Sequence, residues 1–401
     1  MADARHLSEK EAIMTTALEV HGICDARFAS VRDTLSENFT RFGEVGASLA
    51  VMVDGRMVVD LWAGHADADR TRPWESDTIV NAWSTTKGIV ATCAHRLVDQ
   101  GKLDPDAPVA KYWPEFAQAG KAEIPVRYLL SHQAGLPAIR KPLPLGAAFD
   151  WDMMTTALAE EEPWWEPGTK HGYHAFTYGW LIGEVIRRIT GQSLGTYFRK
   201  EVAEPLGLDF HIGLGAEHDA RTAEISADLP QPGDTNFVIE MLQDPESMAF
   251  KVLANPPDLF QPGVVNTREW RAAEIPAANG HGNARAIARL YGALARGGEL
   301  DGVRILSPEA IERATVEQAS GKDEVLGLNL RTALGFVLTS ADATMGPNPR
   351  AFGHSGAGGS LGFADPDAKL GFGYAMNRMI QENTLNDPRW GPMIDAVYAS
   401  L

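Results

Sequence analysis

The sequence predicts an α+β fold in which one sheet, built from both ends of the chain, is flanked by helices and interrupted by a mainly helical lobe. Apolar stretches of strand type lie before residue 77 and return after Ala333, whereas the segment between them reads mainly as helices and loops. A single sheet with an insertion accounts for this order most simply. We therefore expect residues 1–76 and 283–401 to form one lobe, residues 77–282 to form a second, and the functional site to lie between them.

The first lobe begins with a predicted helix and a predicted hairpin. Residues 24–45 read CDARFASVRDTLSENFTRFGEV, with apolar positions three and four apart, which is typical of a helix. Residues 47–67 then read ASLAVMVDGRMVVDLWAGHAD, two apolar stretches around Asp54-Gly55 that indicate a hairpin with a two-residue turn. A further helix is predicted in STTKGIVATCAHRLVDQG, with Gly101 as its stop.

The remaining elements are predicted in the same way. RYLLSHQAGLP and YGWLIGEVIRRITGQSLGTYFRKEVAEPLGL indicate helices, and residues 230–276 carry several prolines without a clear period, so we expect a long excursion over the surface. NARAIARLYGALARGG restores a helix. Strands are expected in ALGFVLTS, AFGHSG and GSLGFADPDAKLGFGYAMN, followed by a last helix in GPMIDAVYASL.

Composition excludes several classes of function. The 401 residues are 44% hydrophobic and 22% charged, an ordinary globular balance, and the formal net charge is -17. So negative a chain is not expected to bind nucleic acid or anionic lipid. No apolar run approaches the roughly 20 residues of a membrane span, and the polar start predicts no secretory signal. With two cysteines, we expect a cytoplasmic protein without disulfides, either a monomer or a small homo-oligomer.

Ser84 and Lys87 form the first candidate for chemistry. Serine is a good helix N-cap, but a capping box would place Glu or Gln where Lys87 stands, and the helix dipole disfavours a cation there. The i, i+3 spacing brings the two side chains to one helix face. If Lys87 is buried, its pKa falls, and it could then act as a general base for Ser84. The motif alone leaves both interpretations open.

Two other segments add candidates. PGTKHGYH places Tyr173 after a Pro-Gly turn and before an amphipathic helix, where a tyrosine could also be a core aromatic. AFGHSGAGGS, residues 351–360, is predicted as a short strand whose glycines let a substrate approach backbone amides. A bulge at a sheet edge is the alternative for this segment.

The three motifs in this order, spread over about 270 residues, resemble the serine β-lactamase and penicillin-binding-protein superfamily. In particular they resemble its class C-like branch and the family VIII carboxylesterases. VRYLLSHQAGLP and ANGHGNARAIARLYGALARGG also match segments of that group. The resemblance extends from about residue 46 to residue 377 and implies a β-lactamase/transpeptidase-like fold with an antiparallel sheet.

The resemblance also implies a mechanism. Ser84 would be the nucleophile of a two-step acyl-enzyme reaction. Lys87 and Tyr173 would share the proton transfers, and the sequence leaves open which of them acts first. The backbone amides of Ser84 and Ala357 would form the oxyanion hole. No cofactor or metal is expected, and the partner would be a small-molecule ester.

Two departures from the family pattern bear on the substrate. Ala175 stands where the tyrosine motif of the family usually has asparagine. The substrate-binding triplet, usually K-T-G, consists here of His354, Ser355 and Gly356. A neutral imidazole offers hydrogen bonds without a permanent charge. The sequence therefore favours short, neutral acyl esters with weak or no β-lactam hydrolysis; acyl transfer and β-lactamase or D-amino peptidase activity are the alternatives, and a non-catalytic sensor is disfavoured.

Further residues near these motifs have two interpretations each. Trp165, together with Trp164, could wall the pocket and limit acyl length, or could pack within the lobe. His171 and His174 form an H-x-x-H pattern without the further ligands of a zinc hydrolase, so no metal site is expected. His132 is interpreted as a structural hydrogen bonder of its loop rather than as a base.

Overall fold

The computed structural model describes residues 18–227, 244–380 and 385–401. The helices of these ranges are α1 Ala29–Phe42, α2 Thr86–Asp99, α3 Val126–Leu130, α4 Trp151–Glu160, α5 Thr177–Thr190, α6 Leu194–Phe198, α7 Glu204–Leu206, α8 Met248–Ala254, α9 Arg268–Ala272, α10 Ala284–Ala295, α11 Pro308–Ala314 and α12 Trp390–Ala399. A π-helical turn, Arg199–Ala203, joins α6 to α7.

The strands of the same ranges fall into one large and several small sheets. They are β1 Val20–Cys24, β2 Gly46–Val53, β3 Arg56–Gly64, β4 Val80–Asn81, β5 Phe210–His211, β6 Ser226–Ala227, β7 His281–Gly282, β8 Glu299–Leu300, β9 Val303–Arg304, β10 Ala319–Lys322, β11 Asn329–Thr332, β12 Val337–Leu338, β13 Phe352–Ser355, β14 Leu361–Asp365, β15 Leu370–Met376 and β16 Arg378–Met379.

The large sheet joins the two ends of the chain, as predicted. Its nine strands follow the order β1-β3-β2-β15-β14-β13-β12-β11-β10, and each neighbouring pair is antiparallel. The β2–β3 hairpin is confirmed: Asp54 and Gly55 have φ of 47° and 80°. Positive φ at both turn residues suits the right-handed twist of the two strands. The pairing of β2 with β15 joins the strands from the start of the chain to those from its end.

Helices cover both faces of this sheet. On one face α1 packs with α12, and their apolar side chains share a buried cluster with the sheet. On the other face α10 lies against β15, β2 and β14. A Cβ added at Gly371 of β15 would stand 2.2 Å from the backbone nitrogen of Gly292 in α10. Glycine at this position therefore allows the helix to lie directly on the strand.

Two expectations were wrong in detail. The helix predicted over residues 24–45 begins only at Ala29, because Cys24 ends the edge strand Val20–Cys24 and a 3-10 turn over Ala26–Phe28 precedes the helix. Gly22 has a φ of 101°, and a Cβ there would fall 2.0 Å from the carbonyl oxygen of Asp60. A strand that depends on a partner about 40 residues later leaves little local signal.

The second error concerns residues 230–276. The part up to residue 243 lies outside the described residues, but the rest is more ordered than an irregular excursion. It contains α8, a 3-10 turn over Pro257–Phe260 and α9. Val252 and Leu259 are buried, so this part contributes to the interior. Short helices separated by prolines do not produce a long hydrophobic period.

No helix in the described part of the chain combines the length and the apolar character needed to cross a membrane. The division into lobes 1–76 with 283–401 and 77–282 stays a prediction.

Candidate active site

Ser84 lies in a tight turn at the start of α2. The turn is a 3-10 helix over Trp83–Thr85, and Trp83 has a φ of 46°, a strained value for a non-glycine residue. The Ser84 hydroxyl lies 3.0 Å from Nζ of Lys87, and the turn and α2 both lack a side-chain cap. Ser84 is therefore not a helix cap, and its side chain belongs to a pair with Lys87.

Lys87 is fully buried without an acid beside it. Its Nζ lies 3.0 Å from Oγ of Ser84, 2.7 Å from the Ala175 carbonyl oxygen and 3.0 Å from the Ala277 carbonyl oxygen. No carboxylate of the described residues lies within ion-pairing distance of it. Burial lowers the pKa of Lys87 well below its ordinary value of 10.5. A neutral amine satisfies this geometry, because its two N–H groups donate to the carbonyls and its lone pair faces the Ser84 hydroxyl.

Tyr173 stands over this pair. The face of its ring is 4.6 Å from Nζ of Lys87, and the side chain is partly exposed to the cavity described below. Burial raises the pKa of Tyr173 above its usual value; a hydrogen bond with Ser84 opposes the rise, and the charge of Asp323 adds to it. The phenol therefore keeps its proton at neutral pH. Oδ1 of Asp323 accepts the Tyr173 backbone N–H at 3.1 Å and fixes the tyrosine loop.

His354 faces the same site from β13. Its Nδ1 is 2.6 Å from the Ser355 carbonyl oxygen, so we assign the ring proton to Nδ1, since a carbonyl can only accept. Within the described part of the chain, its buried Nε2 has no hydrogen-bond partner. Burial, followed by the charge of Lys87, lowers the pKa of His354 to about 3, although the bond to Ser355 opposes this. The imidazole is neutral, as the sequence led us to expect.

The end of β13 packs directly against the Trp83–Thr85 turn. A Cβ on Gly356 would lie 2.4 Å from the Ala82 carbonyl oxygen and 3.1 Å from Cβ of Trp83, so only glycine fits there. The Gly356 N–H is used in a 2.8 Å bond to the Ser360 carbonyl. The N–H of Ala357, which lines the cavity with Ser84, makes no hydrogen bond to any described residue.

These residues open onto a cavity of about 330 Å³. Its polar lining side chains are few, and among the described residues the lining contains neither lysine nor arginine. Asp387 is the ionisable acid of the wall, and its Oδ2 is 2.6 Å from Nη2 of the buried Arg389. The apolar wall is formed by Trp83, Ala175, Phe176, Val252, Leu253, Leu259, Ala278, Val325, Leu326, Leu330, Val337, Met379, Ile380, Leu385 and Trp390.

Trp165 does not line this cavity, contrary to the expectation for a substrate-binding residue. Its ring packs edge-on against His174, with ring centroids 6.3 Å apart, and against the backbone of Gly172. Trp164 donates its indole N–H to the Ala138 carbonyl at 2.9 Å and packs behind the cavity wall. The two tryptophans thus support the wall from outside, which is the packing alternative.

His132 and His174 hydrogen-bond two loops to each other, the one after α3 and the one before α5. Nδ1 of His132 accepts the His174 N–H at 3.1 Å. The imidazole of His174 bonds the Gly172 carbonyl through Nδ1 and the Leu136 N–H through Nε2, at 2.7 and 3.0 Å. Both ring nitrogens of His174 are therefore used in hydrogen bonds that hold the loops together. His132 is a structural hydrogen bonder, as we expected.

Several site features were not identified from the sequence. The carbonyl acceptors of Lys87 belong to Ala175 and Ala277, and a backbone oxygen has no residue-type signature. Val252 and Leu259 come from the segment interpreted as a surface excursion. Asp387 lies just before α12 and Trp390 is its first residue, and both precede the segment predicted as the last helix.

Comparisons with known proteins agree with this architecture. A solved family VIII carboxylesterase is 46% identical, with a TM-score of 0.88 over 96% of this chain and 100% of that one. A penicillin-binding protein homologue from Caulobacter crescentus is 41% identical, with a TM-score of 0.86 and the same coverage. Esterase/beta-lactamase LipL of Mycobacterium tuberculosis is 39% identical over 381 residues, 92% of this chain and 85% of its own length. Both the predicted fold class and the resemblance are confirmed. Since the family model described as Beta-lactamase matches residues 35–390, the chain belongs to the beta-lactamase family.

Proposed function

We propose that this protein is a serine carboxylesterase that cleaves small neutral esters with short acyl chains through an acyl-enzyme on Ser84. One observation carries the proposal: a fully buried Lys87, without a carboxylate partner, has its Nζ 3.0 Å from Oγ of Ser84. A serine hydroxyl needs a base to become a nucleophile, and a buried amine of lowered pKa is such a base at neutral pH.

In the acylation step, the Lys87 amine takes the hydroxyl proton while Oγ of Ser84 bonds to the acyl carbon. The carbonyl oxygen becomes an oxyanion, held by the backbone N–H groups of Ser84 and Ala357. The tetrahedral intermediate then expels the alkoxide. Tyr173 passes its phenol proton to the leaving oxygen and is reprotonated by the Lys87 ammonium, so an alcohol leaves and the amine is neutral again. The raised pKa of Tyr173 supports its role as a proton donor and leaves Lys87 as the first base.

In the deacylation step, water attacks the acyl carbon of the ester on Ser84. The neutral Lys87 amine takes one proton of the water, and the same two N–H groups hold the oxyanion. When the bond to Oγ breaks, the proton on Lys87 returns to Ser84 and a carboxylic acid is released. Apart from the ester and the water, each group that these steps require belongs to the chain itself, so the proposed mechanism uses no cofactor.

The cavity supports the choice of substrate class. Its described lining is largely apolar, and its volume of about 330 Å³ lies at the small end of ligand pockets. Binding the carboxylate of a penicillin calls for a cation, whereas His354 is neutral and Lys87 is buried behind Ser84. Similarity to a family VIII carboxylesterase and to a protein named esterase/beta-lactamase supports ester hydrolysis in general.

The setting proposed for this reaction follows from the cysteines and the overall charge. Cys24 and Cys93 are both free thiols, which supports a reducing, cytoplasmic location. The net charge of -17 supports a small uncharged molecule, rather than nucleic acid or anionic lipid, as the partner.

The test compares Ser84→Ala with the wild type on p-nitrophenyl acetate and butyrate and on a penicillin. Ser84→Ala is expected to abolish ester turnover with an unchanged far-UV circular dichroism spectrum. The matched control is Ser400→Ala, which removes a hydroxyl bonded to the Ala396 carbonyl in the last turn of α12 and should leave kcat/KM unchanged. Turnover by a folded Ser84→Ala protein would refute the mechanism, and a penicillin cleaved as fast as the butyrate ester would refute the substrate class.

A further inference from the structure

The turn that carries Ala357 is held from behind by the start of α12. This turn, residues 356–359, closes with a 3.1 Å bond from the Gly359 N–H to the Gly356 carbonyl. Its Gly358 carbonyl accepts from Nη2 of Arg389, and its Gly359 carbonyl accepts from the indole Nε1–H of Trp390 at 2.7 Å. Two consecutive side chains thus bind two consecutive carbonyls of the turn.

Arg389 is itself fixed. It has no solvent exposure, and its guanidinium donates to Glu44 at 2.9 Å, to Asp387 at 2.6 Å and to the Arg378 carbonyl at 3.0 Å. The planar guanidinium of an arginine is pre-organised, so holding it in place costs little side-chain entropy for each hydrogen bond formed. Because the carboxylates are buried too, rotating the guanidinium would leave charges unpaired. The Gly358 carbonyl is therefore bonded to a rigid donor.

The turn needs such an external support. Gly358 and Gly359 have φ of 76° and 129°. Glycine reaches many other backbone conformations at little cost, so the peptide planes on either side of these residues can rotate. The Ala357 N–H shares a peptide plane with the Gly356 carbonyl, which is held by the Gly359 N–H. That N–H in turn shares a plane with the Gly358 carbonyl, so the direction of the Ala357 N–H depends on how the Gly358 carbonyl is held. The glycines also leave space for the donors, since a Cβ on Gly359 would fall 1.9 Å from Nη2 of Arg389.

We propose that Arg389 and Trp390 are positioning residues that hold the 356–359 turn so that the Ala357 N–H points at the oxyanion of the substrate. This inference rests on the proposed esterase function and deepens it. Neither side chain donates to the reacting atoms in this role. They act through the two carbonyls, and their effect is confined to the stage at which the acyl oxygen carries negative charge.

Trp390→Phe is the primary test, because it keeps an aromatic ring and removes the bond to the Gly359 carbonyl. We expect kcat on p-nitrophenyl acetate to fall by roughly 10- to 100-fold, somewhat less than the loss of an oxyanion donor, with KM changed by no more than about 3-fold. Affinity for methylboronic acid, which forms a tetrahedral adduct with serine, should fall by the same factor as kcat/KM. Methylboronic acid has too small a chain to report on the cavity wall.

The matched control is Trp151→Phe. It also removes an indole hydrogen bond, in this case the 2.8 Å bond from Trp151 of α4 to Glu184 of α5. It should leave kcat and boronate affinity within about 2-fold. Arg389→Lys is a second variant that keeps the charge and loses the fork, and its kcat should also fall. Trp390→Phe decides alone if that variant does not fold.

The outcomes separate this inference from the proposed function. If Trp390→Phe matches Trp151→Phe in kcat and boronate affinity while Ser84→Ala is inactive, the positioning role is wrong and the esterase mechanism stands. A change in KM alone would likewise overturn the positioning role, because it would make Trp390 only part of the cavity wall. If a folded Ser84→Ala protein still turns over ester, the mechanism itself fails.

Discussion

Lys87 and Arg389 lie beside the same cavity and are both wholly shielded from solvent, but their surroundings are opposite. Lys87 is bonded to one hydroxyl and two carbonyls, without a carboxylate. Arg389 is bonded to the carboxylates of Glu44 and Asp387. Burial lowers the pKa of Lys87. Burial acts in the same direction on Arg389, but Tyr374, Glu44 and Asp387 raise its pKa above the ordinary value.

The difference shows how one fold obtains two uses from buried basic side chains. A buried amine without an acid gives up its charge and becomes available for proton transfer. A buried guanidinium with two acids keeps its charge and can hold backbone in place. In this protein the first is proposed to perform chemistry and the second to position an amide. Removing Lys87 should therefore affect mainly activity, whereas removing Arg389 should affect stability first.

Replacing Lys87 should produce the largest effect, and the effect should be on activity. Lys87→Met removes the proposed base, and we expect kcat/KM for an acetyl ester to fall by about three or more orders of magnitude. Relief from burying an ionisable amine offsets the loss of a donor for the Ala175 and Ala277 carbonyls, so the free energy of unfolding should change by no more than about 1–2 kcal/mol. Urea denaturation measured beside steady-state kinetics checks both. A large loss of stability would show that Lys87 is structural.

Replacing Arg389 by Met should reverse this pattern and act first on stability. It leaves Glu44 and Asp387 buried without their cation, and we expect the free energy of unfolding to fall by about 3–5 kcal/mol. Burial already raises the pKa of Glu44, so without Arg389 its carboxyl takes up a proton, and the loss should be smaller at acidic pH. Chemical denaturation at two pH values measures this. An unchanged stability would contradict the pairing.

The pH dependence of the free energy of unfolding should show whether Lys87 is neutral in the folded protein. The folded pKa of Lys87 is lowered, and the unfolded one is near 10.5. Between these values the unfolded chain binds a proton that the folded chain does not, so the free energy of unfolding rises with pH, by at most about 1.4 kcal/mol per unit. Relative to Lys87→Met, the wild type should gain stability as pH increases and stop gaining near 10.5. A flat difference across this window would mean that Lys87 is charged in the folded state.

The smallest effect is expected for His354→Asn. Ester hydrolysis should follow a basic limb, with kcat/KM increasing with pH as Lys87 loses its proton. The pKa of His354 is lowered to about 3, so this imidazole is already neutral and does not shape the limb. We expect the limb to persist at the same position in the variant, with a change of no more than about 10-fold in its plateau. A limb that disappears would assign the role of base to His354.

The local parts of the fold and of the site could be predicted from the sequence. The hairpin could be predicted because its turn depends on two adjacent residues, Asp54 and Gly55, that tolerate a positive φ. The pairing of Ser84 with Lys87 follows from helical spacing, because three residues separate groups on one face. One sheet from both ends could be inferred because strand patterns occur at both ends of the chain, and its antiparallel arrangement was implied by the family resemblance. The hairpin turn and the Ser84–Lys87 pair need no knowledge of distant partners.

The rest depends on contacts between residues far apart in the chain. Arg389 meets Glu44 across 345 positions, and no local pattern around an arginine just before α12 indicates so distant a partner. The edge strand Val20–Cys24 is defined by its pairing with β3. Trp165 illustrates the opposite failure: an aromatic beside a motif suggested a pocket wall, but its ring packs on His174 instead. Proximity in sequence to a motif did not determine which way the side chain turned.

The two carbonyls that hold Nζ of Lys87 have a consequence for the lifetime of the enzyme. An uncharged primary amine is also a nucleophile, and in the proposed acyl-enzyme the acyl group on Ser84 would lie next to it. Transfer of that acyl group to Lys87 would form an amide, which hydrolyses far more slowly than an ester and would end turnover. With both N–H groups committed to Ala175 and Ala277, the lone pair is directed at Oγ of Ser84. In the proposed acyl-enzyme, the same bonds would restrain Nζ from turning its lone pair away from Oγ and toward the acyl carbon.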